Sequence, residues 1–158
     1  MEGARPAVPE DDTRVGALCT QALAEIETYK GGALLARRET GLVAKALLRP
    51  GGLAGLVAAP RRRVVVGTID DVVVGFAVAR IDDVGEATVG VIDGLYVEPE
   101  ARGVGVGRAM LDPLVAWFSA SSCRGVDANA LPGDRHTKNF FEAAGFTARL
   151  ITLHHRLS

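Results

Sequence analysis

The chain has 158 residues, 48% of them hydrophobic and 23% charged, which suits a single domain (1–158) with its own core and excludes a low-complexity or disordered protein. A formal net charge of -1 gives no reason to expect nucleic acid or an anionic membrane as partner. Cys19 and Cys123 stand far apart with no metal-type or redox-type spacing, so no metal is expected and a reduced, cytoplasmic setting is the simplest inference.

Residues 1–9 carry two prolines and read as a flexible lead-in without the apolar core of a signal peptide. From Asp12, "DTRVGALCTQALAEIETY" sets Val15, Leu18, Leu23 and Ile26 at helical spacing, with Asp11 or Asp12 as N-cap. "GGALLARRETGLVAKALL" reads as one or two short helices ended by "RPGG". The apolar stretch "GLVAKALLRPGGLAGLVAAP" is broken by Lys45, Arg49 and Pro50, which argues against a membrane span. The basic "PRRRV" and the "DD" pairs at 11–12, 70–71 and 82–83 read as solvated turns.

Texture changes at Arg63. "VVVGTI" and "VVVGFAVARI", joined by "DD", predict a hairpin, and "ATVGVIDGLYV" predicts a third strand. A helix with Leu111, Leu114, Val115 and Phe118 on one face follows, with Pro113 kinking it or lying in its first turns. "RGVDANAL" predicts a strand, and "PGDRHTKNFFEAAGF" a helix capped by Asp134 and ended at Gly145. "TARLITLHHRL" predicts a closing strand, across which two copies could pair as a homodimer. The order implies an α/β (α+β) fold, a mixed, largely antiparallel sheet flanked by helices with one crossover.

Between third strand and helix stands "ARGVGVGRAM", with glycine at 103, 105 and 107. Glycine at a helix start costs roughly 0.8–1 kcal/mol per residue against alanine. A strand, a glycine turn and a helix N-terminus together make an anion site, because first-turn N–H groups are unpaired and no β-carbon blocks their approach. A P-loop needs lysine followed by a hydroxyl residue, and neither is present. The dinucleotide fingerprint fails in both registers, its last glycine falling on Arg108 or Met110.

"LYVEPEARGVGVGRAM" resembles the central motif of the GNAT superfamily, the acyl-CoA-dependent N-acyltransferases, with Arg102, Gly103, Val104, Gly105, Val106 and Gly107 matching Gln/Arg-x-x-Gly-x-Gly/Ala. "VVVGFAVARI", "VDANAL" and "NFFEAAGF" resemble the flanking strand, the later strand and the late helix, so the resemblance covers roughly residues 64–157. It implies an acetyl-CoA-dependent N-acetyltransferase acting on a primary amine of a small-molecule or peptide acceptor. Main-chain groups of Leu95, Tyr96 and Val97 would pair with the pantetheine arm, beside a bulge near Gly94–Leu95. Amides of Gly103 through Arg108 would wrap the pyrophosphate, with Arg102 and Arg108 adding charge. Asp134 sits where many members place a pantetheine-touching asparagine, and Asn139 and Phe141 would line the coenzyme.

The chemistry needs a neutral amine, a base, and a donor to the thioester carbonyl, for which the N–H near Val97 is placed. Asp93 is the candidate base, two residues before Leu95 and on its face by strand alternation. The family's usual acid is a tyrosine where this chain has Phe141. Either Tyr96, Cys123 or a water replaces it, or thiolate leaves unaided, or the chain is a catalytically silent coenzyme-A-binding sensor or interaction domain. His154 and His155, adjacent on a strand, would face opposite sides, and His136 falls in the first turn of the late helix.

Overall fold

A computed structural model describes residues 1–158. Its sheet has five strands in sequential order: β1 (Glu2–Pro6), β2 (Arg62–Ile69), β3 (Val72–Val84), β4 (Ala87–Val97) and β5 (Val126–Ala128). The first four pair antiparallel, and β5 joins β4 in parallel after a crossover. The β2–β3 turn is Asp70–Asp71, both left-handed (φ 48° and 67°), the twist a two-residue hairpin loop favours. The N-terminal segment read as a lead-in is instead the edge strand β1, paired from Glu2↔Ile69 to Pro6↔Val65. Prolines are tolerated at such an edge.

Helices α1 (Asp12–Glu27), α3 (Gly41–Leu48) and α4 (Gly52–Ala58) cover one face of the sheet, with a single turn α2 (Gly32–Leu34) and a π-helical turn (Leu35–Glu39) between them. Val15, Leu18, Cys19 and Ala22 form the buried stripe of α1 at i, i+3, i+4, i+7 spacing. Neither acidic candidate caps that helix through its side chain. Asp12 instead accepts from the N–H groups of Gly51 and Leu53 at 2.9 and 3.0 Å, capping α4, a helix not anticipated from sequence. Asp11 accepts from Arg5 of β1.

The long helix α5 (Val106–Ala120) and α6 (Arg135–Ala143) cover the other face. Val106, Met110, Leu111, Leu114 and Phe118 of α5 are fully buried, and Pro113 lies inside the helix without ending it. The helix rides close to the sheet because β2 and β4 present glycine beneath it. A β-carbon on Gly67 would come within 2.5 Å of Val106, and one on Gly90 within 2.5 Å of Phe118.

"TARLITLHHRL" is not a strand. Residues 147–158 have no regular structure, and Leu150, Ile151, Leu153 and Leu157 are exposed. A strand needs a partner edge. With β5 only three residues long, the tail's one polar tie to the sheet is an ion pair of Arg149 with Asp127. His154 and His155 lie in this exposed tail.

Candidate functional site

Strands β4 and β5 touch only from Gly90↔Val126 to Ile92↔Ala128. Beyond Ile92 they part, and a cavity of about 520 Å³ opens between them, running from the glycine loop to the face of α1 and α3. It is lined by Asp93, Leu95, Tyr96, Val97, Arg102, Gly103, Gly105, Val106, Gly107, Arg108, Asp134, Asn139 and Phe141. Of the predicted base and coenzyme-binding residues only Val104 is outside it, its side chain turned to solvent at 55% exposure.

The parting begins at a bulge. Register passes from Ala79↔Ile92 to Val78↔Gly94, leaving Asp93 as the extra residue, one position before the expected Gly94–Leu95. An inserted residue reverses alternation. Ile92 packs against the α5 face, and so do Leu95 and Val97, whereas Tyr96 packs on the α1 face. Asp93 is bound by Arg62 and Arg80, registered partners whose alternation puts them on the α1 face with Val64 and Val78. Asp93 and Leu95 therefore point to opposite faces, contrary to the simple strand parity.

The bulge also turns main-chain groups. The Glu98 N–H donates to Val74 of β3 at 3.0 Å, so alternation aims the peptide groups of Leu95 and Val97 away from β3, into the cavity. Those of Tyr96 face β3, opposite Phe76, and so are not free for a ligand. The Tyr96 ring is buried under α1, its hydroxyl donating to Gln21 Oε1 at 3.5 Å, and burial raises its pKa.

A short 3₁₀ turn (Pro99–Ala101) leads into the loop, where Gly103 (φ 85°) and Gly105 (φ 100°) take left-handed backbone that a β-carbon disfavours. Gly107 has another reason: its β-carbon would meet the Phe140 ring at 2.9 Å. The last backbone bond before the loop is Arg102 N–H to Pro99, and the first after it is Ala109 N–H to Gly105. The N–H groups of residues 103 to 108 donate to no carbonyl and to no side chain. A run of unclaimed donors at a helix N-terminus fits a diphosphate, and the open edge beside it fits an amide-bearing arm.

The arginines are less free than the sequence suggested. Arg102 donates to the Val97 carbonyl at 2.7 Å, grips both oxygens of Glu25 at 3.0 and 2.7 Å, and lies over Tyr96 at 5.4 Å. Arg108 makes only an exposed i,i+4 pair with Asp112. The "PRRRV" run begins as an exposed turn at 60–61 and continues into β2: Arg61 pairs with Asp83, Arg62 with the buried Asp93, and Arg63 stacks on Trp117 at 5.1 Å.

Among the titratable groups, Asp93 is 3% exposed with an oxygen on each guanidinium. Burial raises its pKa, and Arg80 and then Arg62 pull it back. Asp134 accepts from Thr137 N–H at 3.2 Å and Oγ1 at 2.6 Å, the cap of α6. Phe141 is buried between Phe140 and Phe146 and offers no proton. Cys123 lies outside the cavity. Cys19, which sequence reading passed over, lines it, its thiol pushed up to about 11 by burial. Glu25, Arg62 and Arg80 were also missed. Glu25 falls at helical spacing from Ala22, but its partner is 77 residues away and no local pattern announces it.

The family model described as "Acetyltransferase (GNAT) family" matches residues 36–146. The chain belongs to this family. A curated relative, "Aminoglycoside N(6')-acetyltransferase type 1" of Stenotrophomonas maltophilia, is 33% identical over 89 residues, covering 52% of this chain. The match spans 58% of that relative's length. Among solved structures, a mutant of the BH1408 protein from Bacillus halodurans superposes with a TM-score of 0.77 at 18% identity, covering 98% of this chain and 99% of that one. AAC(6')-Iy in complex with the bisubstrate analog CoA-S-monomethyl-acetylneamine gives 0.71 at 21% identity, covering 99% of each chain. A "predicted acetyltransferase" from Clostridium acetobutylicum with acetyl-CoA gives 0.69 at 18%, covering 99% of this chain and 96% of that one. At these identities the structural likeness is one of GNAT fold.

Proposed function

We propose that this chain is an acetyl-CoA-dependent N-acetyltransferase that passes an acetyl group to a primary amine. The observation that carries the reading is the run of unclaimed N–H groups at 103–108, contiguous with the open edge of β4. The thioester supplies an activated acyl carbon, and the chain supplies binding and alignment. N–H groups of the loop hold the diphosphate. The Leu95 carbonyl and the Val97 N–H pair with the pantetheine arm, and the Leu95 N–H, the other main-chain donor left open near Val97, polarises the thioester carbonyl. The Val97 carbonyl is already engaged by Arg102. Arg108, free of all but a surface pair, adds charge at the loop.

The amine nitrogen forms the amide bond as the carbon–sulfur bond breaks, and the ammonium proton must leave first. A cavity that is largely apolar lowers the pKa of a bound amine and sheds that proton to water. We assign Asp93 a positioning role, holding the bulge through Arg62 and Arg80, since both its oxygens are occupied. The nitrogen gives up a further proton to water as the amide forms, and the departing thiolate, whose thiol has an ordinary pKa of about 8.5, takes one from water without a dedicated acid, consistent with Phe141 in place of a proton donor. The kinship to a relative whose name specifies aminoglycoside N-acetylation supports an amine acceptor.

Calorimetry with acetyl-CoA, followed by thiol release against an amine panel, tests this reading. Saturable binding with turnover is expected; absence of heat at hundreds of micromolar coenzyme would sink it. The occupied Asp93 and the apolar Phe141 favour a second reading, a coenzyme-A-binding module without transfer, which binding without turnover on every amine would select.

A further inference from the structure

We infer that the acceptor is an amine with one cationic group on an apolar body, an alkyl or arylalkyl monoamine, seated between α1 and α3 with its nitrogen toward the β4 bulge. The inference rests on the coenzyme reading above and adds the chemistry of the second substrate.

Away from the glycine loop the cavity is walled by Leu23 and Ile26 of α1 and Val43 and Leu47 of α3, with Cys19 and Phe76 among its lining. Three carboxylates border the whole cavity, Glu25, Asp93 and Asp134, and each is already engaged. Glu25 is forked onto Arg102, Asp93 is shared between Arg62 and Arg80, and Asp134 caps α6. The Thr40 hydroxyl on this side is turned to the carbonyls of Leu35 and Ala36 at 3.2 and 3.4 Å. A polyamine or an amino sugar would bring several ammonium groups into this space and find no unengaged carboxylate to pair with them, since the polar side chains left unbonded along the cavity, Asn129, His136 and Asn139, carry no negative charge. Each ammonium beyond the reacting one would be desolvated without a counter-charge. A monoamine brings one such group, which the reaction itself requires to be neutral, and its hydrocarbon gains the contact of the aliphatic walls.

The test uses the purified full chain with acetyl-CoA and measures thiol release from 2-phenylethylamine, hexylamine, spermidine and neamine. The two monoamines are expected to show kcat/KM at least about 100-fold above spermidine and neamine. Equal or better turnover of the polycations overturns the inference, and so does coenzyme binding without transfer to either monoamine. If calorimetry finds no coenzyme binding, the coenzyme reading itself fails and takes this one with it. Leu23→Asp, a change at a half-buried wall position, is expected to lower kcat/KM for hexylamine about tenfold with acetyl-CoA affinity unchanged, while Leu42→Asp, on the exposed side of α3 and outside the cavity, keeps the parent value. Should Leu23→Asp not fold, Val43→Thr places a hydroxyl in the same wall at nearly constant shape. Unchanged hexylamine kinetics in the folded variant overturn the inference.

Discussion

Arg102 donates its Nε to the carbonyl oxygen of Val97 at 2.7 Å, closing the turn between the open edge of β4 and the amide-lined loop. The rest of the guanidinium reaches across to Glu25 on α1, so one side chain fixes strand, loop and helix together. Arg102→Ala is expected to lower stability by about 2 kcal/mol and to weaken acetyl-CoA at least tenfold, read by urea denaturation and calorimetry. Arg102→Lys keeps the charge without the fork and should recover less than half of either loss. Arg108→Ala breaks only a surface pair and should change stability by less than about 0.5 kcal/mol.

The loop glycines separate by cause. Gly105→Val forces a β-branched residue to φ 100° and should cost about 2 kcal/mol of stability together with measurable coenzyme affinity. Gly107→Ala meets the movable edge of Phe140 and should cost about 1 kcal/mol while retaining binding. Loss of binding in Gly107→Ala at unchanged stability would reassign that glycine from packing to ligand approach.

Asp93 holds two arginines that would otherwise face each other across β2 and β3. Asp93→Ala is expected to destabilise by about 2–3 kcal/mol, below the range for fully buried pairs because both arginines keep some exposure. Asp93→Asn should lower kcat without moving the acid limb of the kcat/KM profile. A shift of that limb would make Asp93 the proton acceptor after all.

The Asp11 carboxyl accepts from Arg5 at 2.8 and 2.9 Å and from the Val8 N–H at 2.9 Å, and these bonds hold its pKa below the usual carboxylate range. The folded state therefore binds its proton more weakly than the unfolded chain. Its contribution is complete above about pH 4, the ordinary aspartate value, and fades as pH falls through the lower folded value. Asp11→Asn should be less stable than the parent at pH 7, by about 1–2 kcal/mol, and the gap in melting temperature should narrow as pH falls below about 4.

The two β-rich runs, their Asp70–Asp71 turn and the glycine loop were legible because each is local: β-branched residues in a row, a turn of two, a helix start written in glycine. Asp134 capped its helix for the same reason. The edge strand β1 was illegible, since "EGARP" has little strand propensity and pairs through a partner some sixty residues on. At the other end "RLITLHHRL" has the propensity and lacks the partner. The single inserted residue at 93 had the widest effect, inverting the faces of Asp93 and Leu95 and taking Tyr96's peptide groups out of the cavity. Likewise, nothing near Arg62 or Arg80 in sequence says that they meet over Asp93.

The early separation of β4 and β5 also bears on solubility. A strand with idle amides on the outer rim of a sheet templates other chains into fibrils. In this fold the idle stretch at 95–97 is set back inside a crevice, with Ala128, Asn129 and Ala130 on the opposite bank. The crevice suits a slender guest better than a neighbouring polypeptide strand, so at 95–97 the pairing capacity of the backbone is reserved for what fits between the two banks.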